Sequence, residues 1–405
     1  MLPAENGRLY MSNSVANALF IVTLALLSAF GPFVTDMYLP ALPSLSEAFG
    51  TSDFWVKMSM SICMIGLAVG QIFVGPLSDK YGRRGPLMFS MWLFVLSTAG
   101  CVFATDIYFF VLMRFFQGVA GAGGIALSRS ISADNYTGLE LARFLAIIAA
   151  VHSVAPVAAP IVGGITLSFF SWRVIFVCLL VLGVVLMGLS YRIKESLPKN
   201  RRSNLSAIAI FSLYKNVVYD KVALFYILQQ GAMAIILFAY ICSSPFIFED
   251  MYGVKPIVFS CIFAANAIAI AVGAMLSSKF RRRRTAVVVS GIGIFAGAIL
   301  ESIMIVSGQN IYLVEGMLFV MLAFFGLAAP AAAAIVLDSQ HKNAGTAAAL
   351  LGALPFAAGS LAAPCIGMGD VAVDFSIVII SGGALSAVLA LIARNYQKKY
   401  GPSTM

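Results

Sequence analysis

Charged residues are scarce in this sequence. Of its 405 residues, 11% are Asp, Glu, Lys or Arg and 61% are hydrophobic, whereas soluble proteins average about 25% charged residues. A water-exposed surface needs far more ionic groups than this chain supplies, so the surrounding medium must itself be apolar. The composition therefore excludes a soluble domain and a disordered chain, and it indicates a protein of the lipid bilayer.

Metal-binding and catalytic patterns are also lacking. The chain has only two His, and its six Cys lie far apart inside apolar runs, where they are expected to act as small buried hydrophobes. No cluster has the spacing of a metal site or of a nucleophile with its base. We therefore expect no metal, no cofactor and no enzyme activity. A channel is disfavoured as well, because channels usually build their filter from rings of repeated loops or subunits.

What the sequence does contain is twelve apolar segments, each about 20 residues long and so able to cross a bilayer. They are predicted near residues 15–39, 56–78, 86–104, 107–130, 141–168, 172–192, 220–247, 257–278, 286–307, 311–336, 344–366 and 374–394. Residues 193–219 are predicted to be a linker between an N-terminal six-helix bundle (1–192) and a C-terminal one (220–405). The sequence thus predicts an all-α, polytopic membrane protein with twelve transmembrane helices.

The basic residues predict the orientation. Of the 26 Lys and Arg, 22 fall on the side that holds both termini. Only Lys57, Arg173 and Lys255 fall on the other side, and Arg114 lies within a span. The positive-inside rule then predicts cytoplasmic termini. The net charge of +9 needs no nucleic-acid partner to explain it.

An internal repeat is visible in two places. Gly75-Pro-Leu-Ser-Asp-Lys-Tyr-Gly-Arg-Arg84 is matched by Ala274-Met-Leu-Ser-Ser-Lys-Phe-Arg-Arg-Arg283, and Ala158-Ala-Pro-Ile-Val-Gly-Gly164 by Ala362-Ala-Pro-Cys-Ile-Gly-Met368. Because both matches have nearly the same offset, we expect two pseudo-symmetric six-helix halves in the same orientation. The alternative is that the matches reflect residue types common to many membrane helices, namely basic residues at cytoplasmic ends and Pro and Gly in packed spans.

These residues resemble a known family. The Gly75–Arg84 segment resembles the signature loop of the major facilitator superfamily, and Arg114-Phe-Phe-Gln117-Gly118 is similar to a motif of its proton-coupled members. Ala155–Gly164 resembles the antiporter motif, with Ala155 and Ala159 where Gly is usual. Thr35-Asp36-Met-Tyr-Leu-Pro40, with Ser171-Trp-Arg173, resembles the bicyclomycin/chloramphenicol-resistance (Bcr/CflA-type) branch of drug:proton antiporters.

The proton-coupling residues are predicted to be Asp36 and Arg114. A carboxyl group inside an apolar span costs roughly 2.5 to 3.5 kcal/mol as an anion, so it is rarely structural. Its proton can be bound or released as the cavity opens to either side. The family places spans 1 and 4 side by side, so we expect Arg114 to reach Asp36. The alternatives are that Asp36 is hydrated at the outer membrane interface and that Arg114 has a structural role, in which it donates hydrogen bonds to backbone carbonyl oxygens.

Polar and aromatic residues within the spans are candidate walls of a substrate cavity. They are Phe33, Tyr38, Gln117, Tyr226, Gln229, Tyr240, Asn266 and Phe356. Each is also explained by simple helix packing. Glu301 and Glu315, which flank the outer loop between spans 9 and 10, are expected to reach water.

The loop after span 2 is a candidate gate. By the resemblance, Asp79, Gly82, Arg83 and Asp134 form an ion-pair latch that closes the cytoplasmic side when the cavity faces outward. The alternative is a topological anchor that has no switching role.

Together these observations predict a secondary transporter that exports small amphipathic compounds in exchange for protons by alternating access. The partners expected are a small-molecule substrate, protons and the lipid bilayer, and a monomer is expected. The alternative is a dedicated exporter of a native metabolite such as a siderophore or a small peptide.

Overall fold

The computed structural model describes residues 14–202, 214–215, 217–340, 344–366 and 369–400. These ranges are helical apart from short connections, and they contain no strand. Eleven helices are each long and apolar enough to cross a bilayer, and the bent pair Ala18–Ser28 and Phe30–Phe49, with 45° between its parts, supplies a twelfth span. The predicted twelve-span, all-α fold is confirmed.

The first six spans contain eight α-helices. They are α1 (Ser14–Ser28), α2 (Phe30–Asp36), α3 (Leu42–Phe49), α4 (Asp53–Tyr81), α5 (Arg84–Phe103), α6 (Ile107–Asn135), α7 (Gly138–Phe169) and α8 (Trp172–Ser190). The last six spans contain α9 (Lys221–Pro245), α10 (Pro256–Ser277), α11 (Arg283–Val306), α12 (Ile311–Ser339), α13 (Ala344–Gly359), α14 (Ala362–Ile366) and α15 (Val371–Tyr400). The domain boundaries stay a prediction, since much of the linker lies outside the described residues.

Span 1 is longer than predicted and is broken. Its helical path does not end at residue 39 but continues through a 3-10 turn, Leu39–Ala41, and through α3 to Phe49. The break at Ala29 precedes Pro32, which has no N–H to donate to the carbonyl oxygen of Ser28. The Nδ1 atom of His152 lies 2.9 Å from that oxygen and satisfies it from α7. His152 therefore has a packing role here.

The two halves repeat the same helix pairings. In the first half α4 packs on α6 and α5 on α8, and in the second half α10 packs on α12 and α11 on α15. An Arg–Asp ion pair is present in each half: Arg83 to Asp134 at 2.9 Å, and Arg283 to Asp338. The pseudo-symmetry inferred from the two sequence matches is therefore present in the structure.

The ends of the bundle differ in how the halves meet. We call the end where α4 finishes and α11 begins the basic end, and the other the opposite end. Toward the basic end, each half has its own cluster of buried apolar residues. At the opposite end one large cluster contains residues of both halves. Within the described residues, the buried apolar clusters are shared at the opposite end and separate toward the basic end, although α13 also packs along α4, where a Cβ atom at Gly352 would lie 2.2 Å from Oε1 of Gln71.

Two adjacent glycines in α7 allow the closest helix contacts near this junction. A Cβ atom at Gly163 would lie 1.8 Å from the carbonyl oxygen of Met37 in span 1. A Cβ atom at Gly164 would lie 2.2 Å from Oγ of Ser260 in α10, which belongs to the other half. The antiporter-like segment thus holds span 1 on one side and the second half on the other.

We expect Gly163→Ala to destabilise the protein by about 1–3 kcal/mol, because the added methyl group forces the span 1 backbone away from α7. Thermal unfolding in detergent, followed by fluorescence-detected size-exclusion chromatography, measures this as a lower melting temperature. The matched control is Gly188→Ala in α8, where a Cβ atom meets nothing within 4 Å. Equal melting temperatures for the two variants would contradict the packing described for Gly163.

Candidate transport site

Asp36 is buried near the junction of the halves. It is 5% exposed, and its Oδ1 atom accepts a hydrogen bond of 2.7 Å from the Thr35 hydroxyl. Because span 1 continues to Phe49, Asp36 lies deeper than its closeness to Pro40 had indicated, and it is not a wet residue at the interface. Tyr240 of the second half lies within electrostatic range of it. The carboxyl group therefore lies near the second half.

Arg114 is fully buried in α6, but it does not form the expected ion pair with Asp36. Its guanidinium group donates hydrogen bonds to the carbonyl oxygen of Val34 at 2.9 Å and to Oε1 of Gln117 at 2.5 Å. Its Cζ atom lies 4.2 Å from the centre of the Tyr38 ring. In this conformation the positive charge is held by neutral groups and an aromatic face, which includes the backbone tie proposed as the alternative.

Three predicted substrate residues of the first half surround Arg114 and Asp36. Gln117 is fully buried, and its amide N–H donates a hydrogen bond of 2.9 Å to the Thr98 hydroxyl. Tyr38 is fully buried, with its hydroxyl 3.2 Å from that of Ser59. Phe33 is half-buried against the cluster that the two halves share. The structure thus brings these residues together.

Three predicted residues of the second half reach the same region. Tyr240 and Asn266 are buried and hydrogen-bonded to each other at 3.1 Å. Phe356 is half-buried and packs against Leu67 and Ile125 of the first half. Phe356 thus contacts the first half directly, and Asn266 is bonded to Tyr240, which lies within electrostatic range of Asp36.

Tyr226 and Gln229 do not join this group. Tyr226 donates a hydrogen bond of 2.6 Å to Oε1 of Gln397, inside the separate cluster of the second half near the basic end. Gln229 is fully buried between α9 and α15, where it bonds Ser386 at 3.3 Å. Both side chains are occupied by packing within their own half, because a polar group away from water needs a partner. The sequence alone does not reveal which face of α9 points toward the centre of the bundle.

The four predicted gating residues come together at the basic end. Arg83 bonds Asp79 at 2.5 Å and Asp134 at 2.9 Å. Gly82 has a φ of 95°, which only glycine adopts readily, and this conformation brings the backbone N–H of Arg83 within 2.8 Å of Oε1 of Glu195. Sequence reasoning missed Glu195, because nothing local marks a Glu that follows α8. Within the described residues this network ties parts of the first half and the start of the linker together.

The opposite end is held closed by polar contacts that cross from one half to the other. The Ser61 hydroxyl donates a hydrogen bond of 2.7 Å to the carbonyl oxygen of Ser360. Lys57, which is 1% exposed, lies 3.4 Å from the carbonyl oxygen of Ile366 and 4.3 Å from the centre of the Phe246 ring. The sequence indicates only that Lys57 lies on the side opposite to the termini. It makes no ion pair with any described residue.

With this geometry in view, comparison with known proteins is informative. The Major Facilitator Superfamily model matches residues 24–364. The MFS-type transporter YdgK of Bacillus subtilis is 34% identical, over 91% of this chain and 92% of its own length. The bicyclomycin resistance protein homolog of Haemophilus influenzae is 27% identical, over 87% and 89%. The solved D-xylose-proton symporter has a TM-score of 0.77 at 15% identity, over 96% of this chain and 98% of its own, which shows the shared fold.

The protein is thus a multi-pass membrane transporter, and the chain belongs to the Major Facilitator Superfamily. The relatives also confirm the resemblance to the bicyclomycin/chloramphenicol-resistance branch that the segment from Thr35 to Pro40 had indicated. The individual roles assigned to the site residues stay predictions.

We expect Lys57→Met to hold the opposite end closed more tightly. Closing this end buries an ammonium group without an ion-pair partner, which is costly, whereas Met has a similar length and carries no charge. Native Cys242, fully buried with its sulfur 3.4 Å from that of Met60 across the junction, reports opening. In a protein whose other cysteines are replaced by Ala, a membrane-impermeant maleimide is expected to label Cys242 several-fold more slowly after the substitution.

The matched control is Lys255→Met, which removes an exposed charge at the same end. We expect this variant to label at the rate of the unsubstituted protein. Faster labelling of the Lys57→Met protein would show that the ammonium group stabilises closure, contrary to this expectation.

Proposed function

We propose that this transporter exports small amphipathic compounds, including drugs, in exchange for protons. The observation that carries the proposal is the buried Asp36 carboxyl group, which lies within electrostatic range of Tyr240 in the other half. A site at the junction alternates between the two sides as the halves rock, so a proton bound there is exposed to one side at a time. The bicyclomycin resistance name of one relative supports drugs as substrates.

The proposed substrate cavity lies between Asp36 and Arg114 on one side and Tyr240, Asn266 and Phe356 on the other. Aromatic walls accept varied apolar surfaces, and a few polar groups orient the compound. Gln117, Tyr38 and Phe33 complete the wall of the first half. Tyr226 and Gln229 are left out of this cavity because their polar groups are bonded within the second half.

Arg114 is proposed to couple the proton to the substrate. In this conformation its guanidinium group contacts Gln117, the Val34 carbonyl oxygen and the Tyr38 ring, and it has no anionic partner among the described residues. When Asp36 loses its proton, the resulting anion becomes the natural partner of the guanidinium group. Moving toward it pulls on span 1 and α6, which transmits the protonation state to the helices.

The distribution of basic residues supports an orientation with the basic end and both termini in the cytoplasm of a bacterial inner membrane. The conformation is then inward-facing, with the outer side closed by Ser61, Lys57 and the packing of Gly164 against Ser260. In the outward-facing state, the Asp79–Gly82–Arg83–Asp134 network is proposed to contact the second half and close the cytoplasmic side. A monomer is sufficient for this cycle.

The test uses inverted membrane vesicles in which a pH gradient is monitored by a fluorescent dye. Adding a transported compound to the unsubstituted protein is expected to release protons and restore the fluorescence. Asp36→Asn is expected to abolish this response, because the amide binds no proton at this pH. The panel contains phenicols, lipophilic cations and zwitterions.

The control is Asp106→Asn, which removes an exposed carboxylate while an amide oxygen can still cap α6. We expect it to respond like the unsubstituted protein. A full response from Asp36→Asn would refute the role of Asp36. If the unsubstituted protein responds to no compound of the panel, broad drug export is wrong and a dedicated metabolite exporter is favoured.

A further inference from the structure

Arg129 in α6 carries a charge that neither the transport site nor the gating network uses. Its side chain is exposed, and it makes no ion pair and no side-chain hydrogen bond with any described residue. A guanidinium group has five N–H donors and keeps its positive charge in a protein. In this conformation these donors are therefore available to water or to an anion.

Arg129 lies on the face of α6 that points to the interior of the bundle. Because an α-helix turns by about 100° per residue, Arg129 is displaced around the helix axis by roughly 60° from Arg114 and by roughly 40° from Ile125. Arg114 is fully buried, and Ile125 is buried in contact with Phe356 of the second half. Arg129 therefore points toward the second half, one turn closer to the basic end than Ile125.

At the level of Arg129 this face of α6 is no longer covered. Ile125 is 4% exposed, whereas Arg129 and Ala133, one and two turns closer to the basic end, are both exposed. The contact of α13 with Gln71 is made to α4, and it leaves this part of α6 open. We call the space between the halves that begins here the cleft. It opens toward the basic end, where each half has its own apolar cluster.

The charges around Arg129 favour an anion in the cleft. No described carboxylate pairs with it, and the titratable neighbour within electrostatic range is His152 of α7. His152 uses Nδ1 to satisfy the Ser28 carbonyl oxygen and brings no negative charge. A fixed cation on the wall of a cleft raises the local concentration of anions and lowers that of cations.

The alternative role for Arg129 is that of a positive-inside anchor that contacts lipid headgroups. Such an anchor is expected at a helix end or on a surface that faces lipid. Arg129 lies six residues before the end of α6 at Asn135, which is about 9 Å along the helix, and it lies on the interior face. This position favours a ligand in the cleft over a lipid headgroup.

We propose that Arg129 binds the anionic group of transported compounds as they enter the cleft, so that amphipathic carboxylates and zwitterions are substrates. This inference rests on the proposed export function and adds a substrate class to it. A guanidinium group binds a carboxylate through two parallel N–H···O hydrogen bonds, which also orient the compound. Its apolar part can then contact Ile125 and Phe356, one turn deeper. Because Arg114 lies about 22 Å farther along α6, this site is separate from the one at Asp36.

The experiment compares carboxylates with uncharged compounds of the same shape. The probes are dansyl-leucine and dansyl-phenylalanine, two amphipathic carboxylates, and their methyl esters. Purified protein in nanodiscs of phosphatidylcholine, a lipid without net charge, is titrated with each probe. Energy transfer from the three Trp of the protein to the dansyl group gives the dissociation constant. No proton gradient is applied, so binding is measured without transport.

Arg129→Gln is expected to raise the dissociation constants of both carboxylates by about tenfold, because charge-assisted hydrogen bonds are lost. The constants of the esters are expected to stay unchanged. Arg129→Lys keeps the charge but not the planar fork, and it is expected to fall between the two. The matched control is Arg281→Gln, which removes an exposed positive charge from the second half at the same end. We expect this control to leave all four constants unchanged.

Three results would overturn the proposal. The first is carboxylate binding that Arg129→Gln leaves unchanged, and the second is an equal loss for carboxylates and esters. The third is that neither carboxylate binds to the unsubstituted protein. A monodisperse size-exclusion profile of each variant shows that a loss of binding does not reflect unfolding.

Nanodiscs that contain anionic phosphatidylglycerol separate the two sources of an anion. If Arg129 holds a lipid phosphate, these lipids compete with the carboxylates, and the effect of Arg129→Gln disappears in them. That result would assign the residue to lipid binding and refute the substrate role. The proposal expects about the same tenfold difference in both kinds of nanodisc.

This test and the test of proton-coupled export can fail separately. The effect of Arg129→Gln on carboxylate binding is expected to persist in the Asp36→Asn protein, because no proton has to move. Carboxylate binding that depends on Arg129, without proton release by any compound in vesicles, would refute proton exchange and keep the anion site. Proton release together with no effect of Arg129→Gln would refute the anion site alone.

Discussion

Polar groups in this protein have no water to bond within the bilayer, and this single constraint organises the structure. Pro32 cannot donate to the Ser28 carbonyl oxygen, so His152 supplies the missing contact from α7. Arg114 without an anion takes Gln117, a backbone carbonyl oxygen and an aromatic face instead. Each of these contacts meets part of the requirement and holds helices together, although Nε of Arg114 stays without a hydrogen-bond partner.

Where the requirement is left unmet, the residue is a candidate for function. Glu301 has two unpartnered oxygens in an apolar cavity, and Lys57 has an ammonium group without an ion pair at the junction of the halves. Both groups are costly to bury in this conformation.

The two halves share the same helix arrangement but carry different titratable residues. Each half has an Arg–Asp ion pair at the basic end, Arg83 with Asp134 and Arg283 with Asp338. The first half, however, carries Asp36 and Arg114, and the second carries Glu301 and Glu315. Asn266 bonds both Glu315 and Tyr240 within the second half. Tyr240 in turn lies within electrostatic range of Asp36 in the first half.

The spans and their number were readable from the chain alone, because hydrophobic length acts locally. The grouping of Asp79, Gly82, Arg83 and Asp134 was implied by the family resemblance, and for Asp36 the sequence left a hydrated position at the outer interface open. Partners across the bundle were not readable in this way. Tyr226 and Gln229 resembled cavity residues but bond within their half, and Glu301 resembled a wet loop residue but is enclosed. These outcomes depend on which face of a helix meets which neighbour, and that is decided by the packing of distant segments.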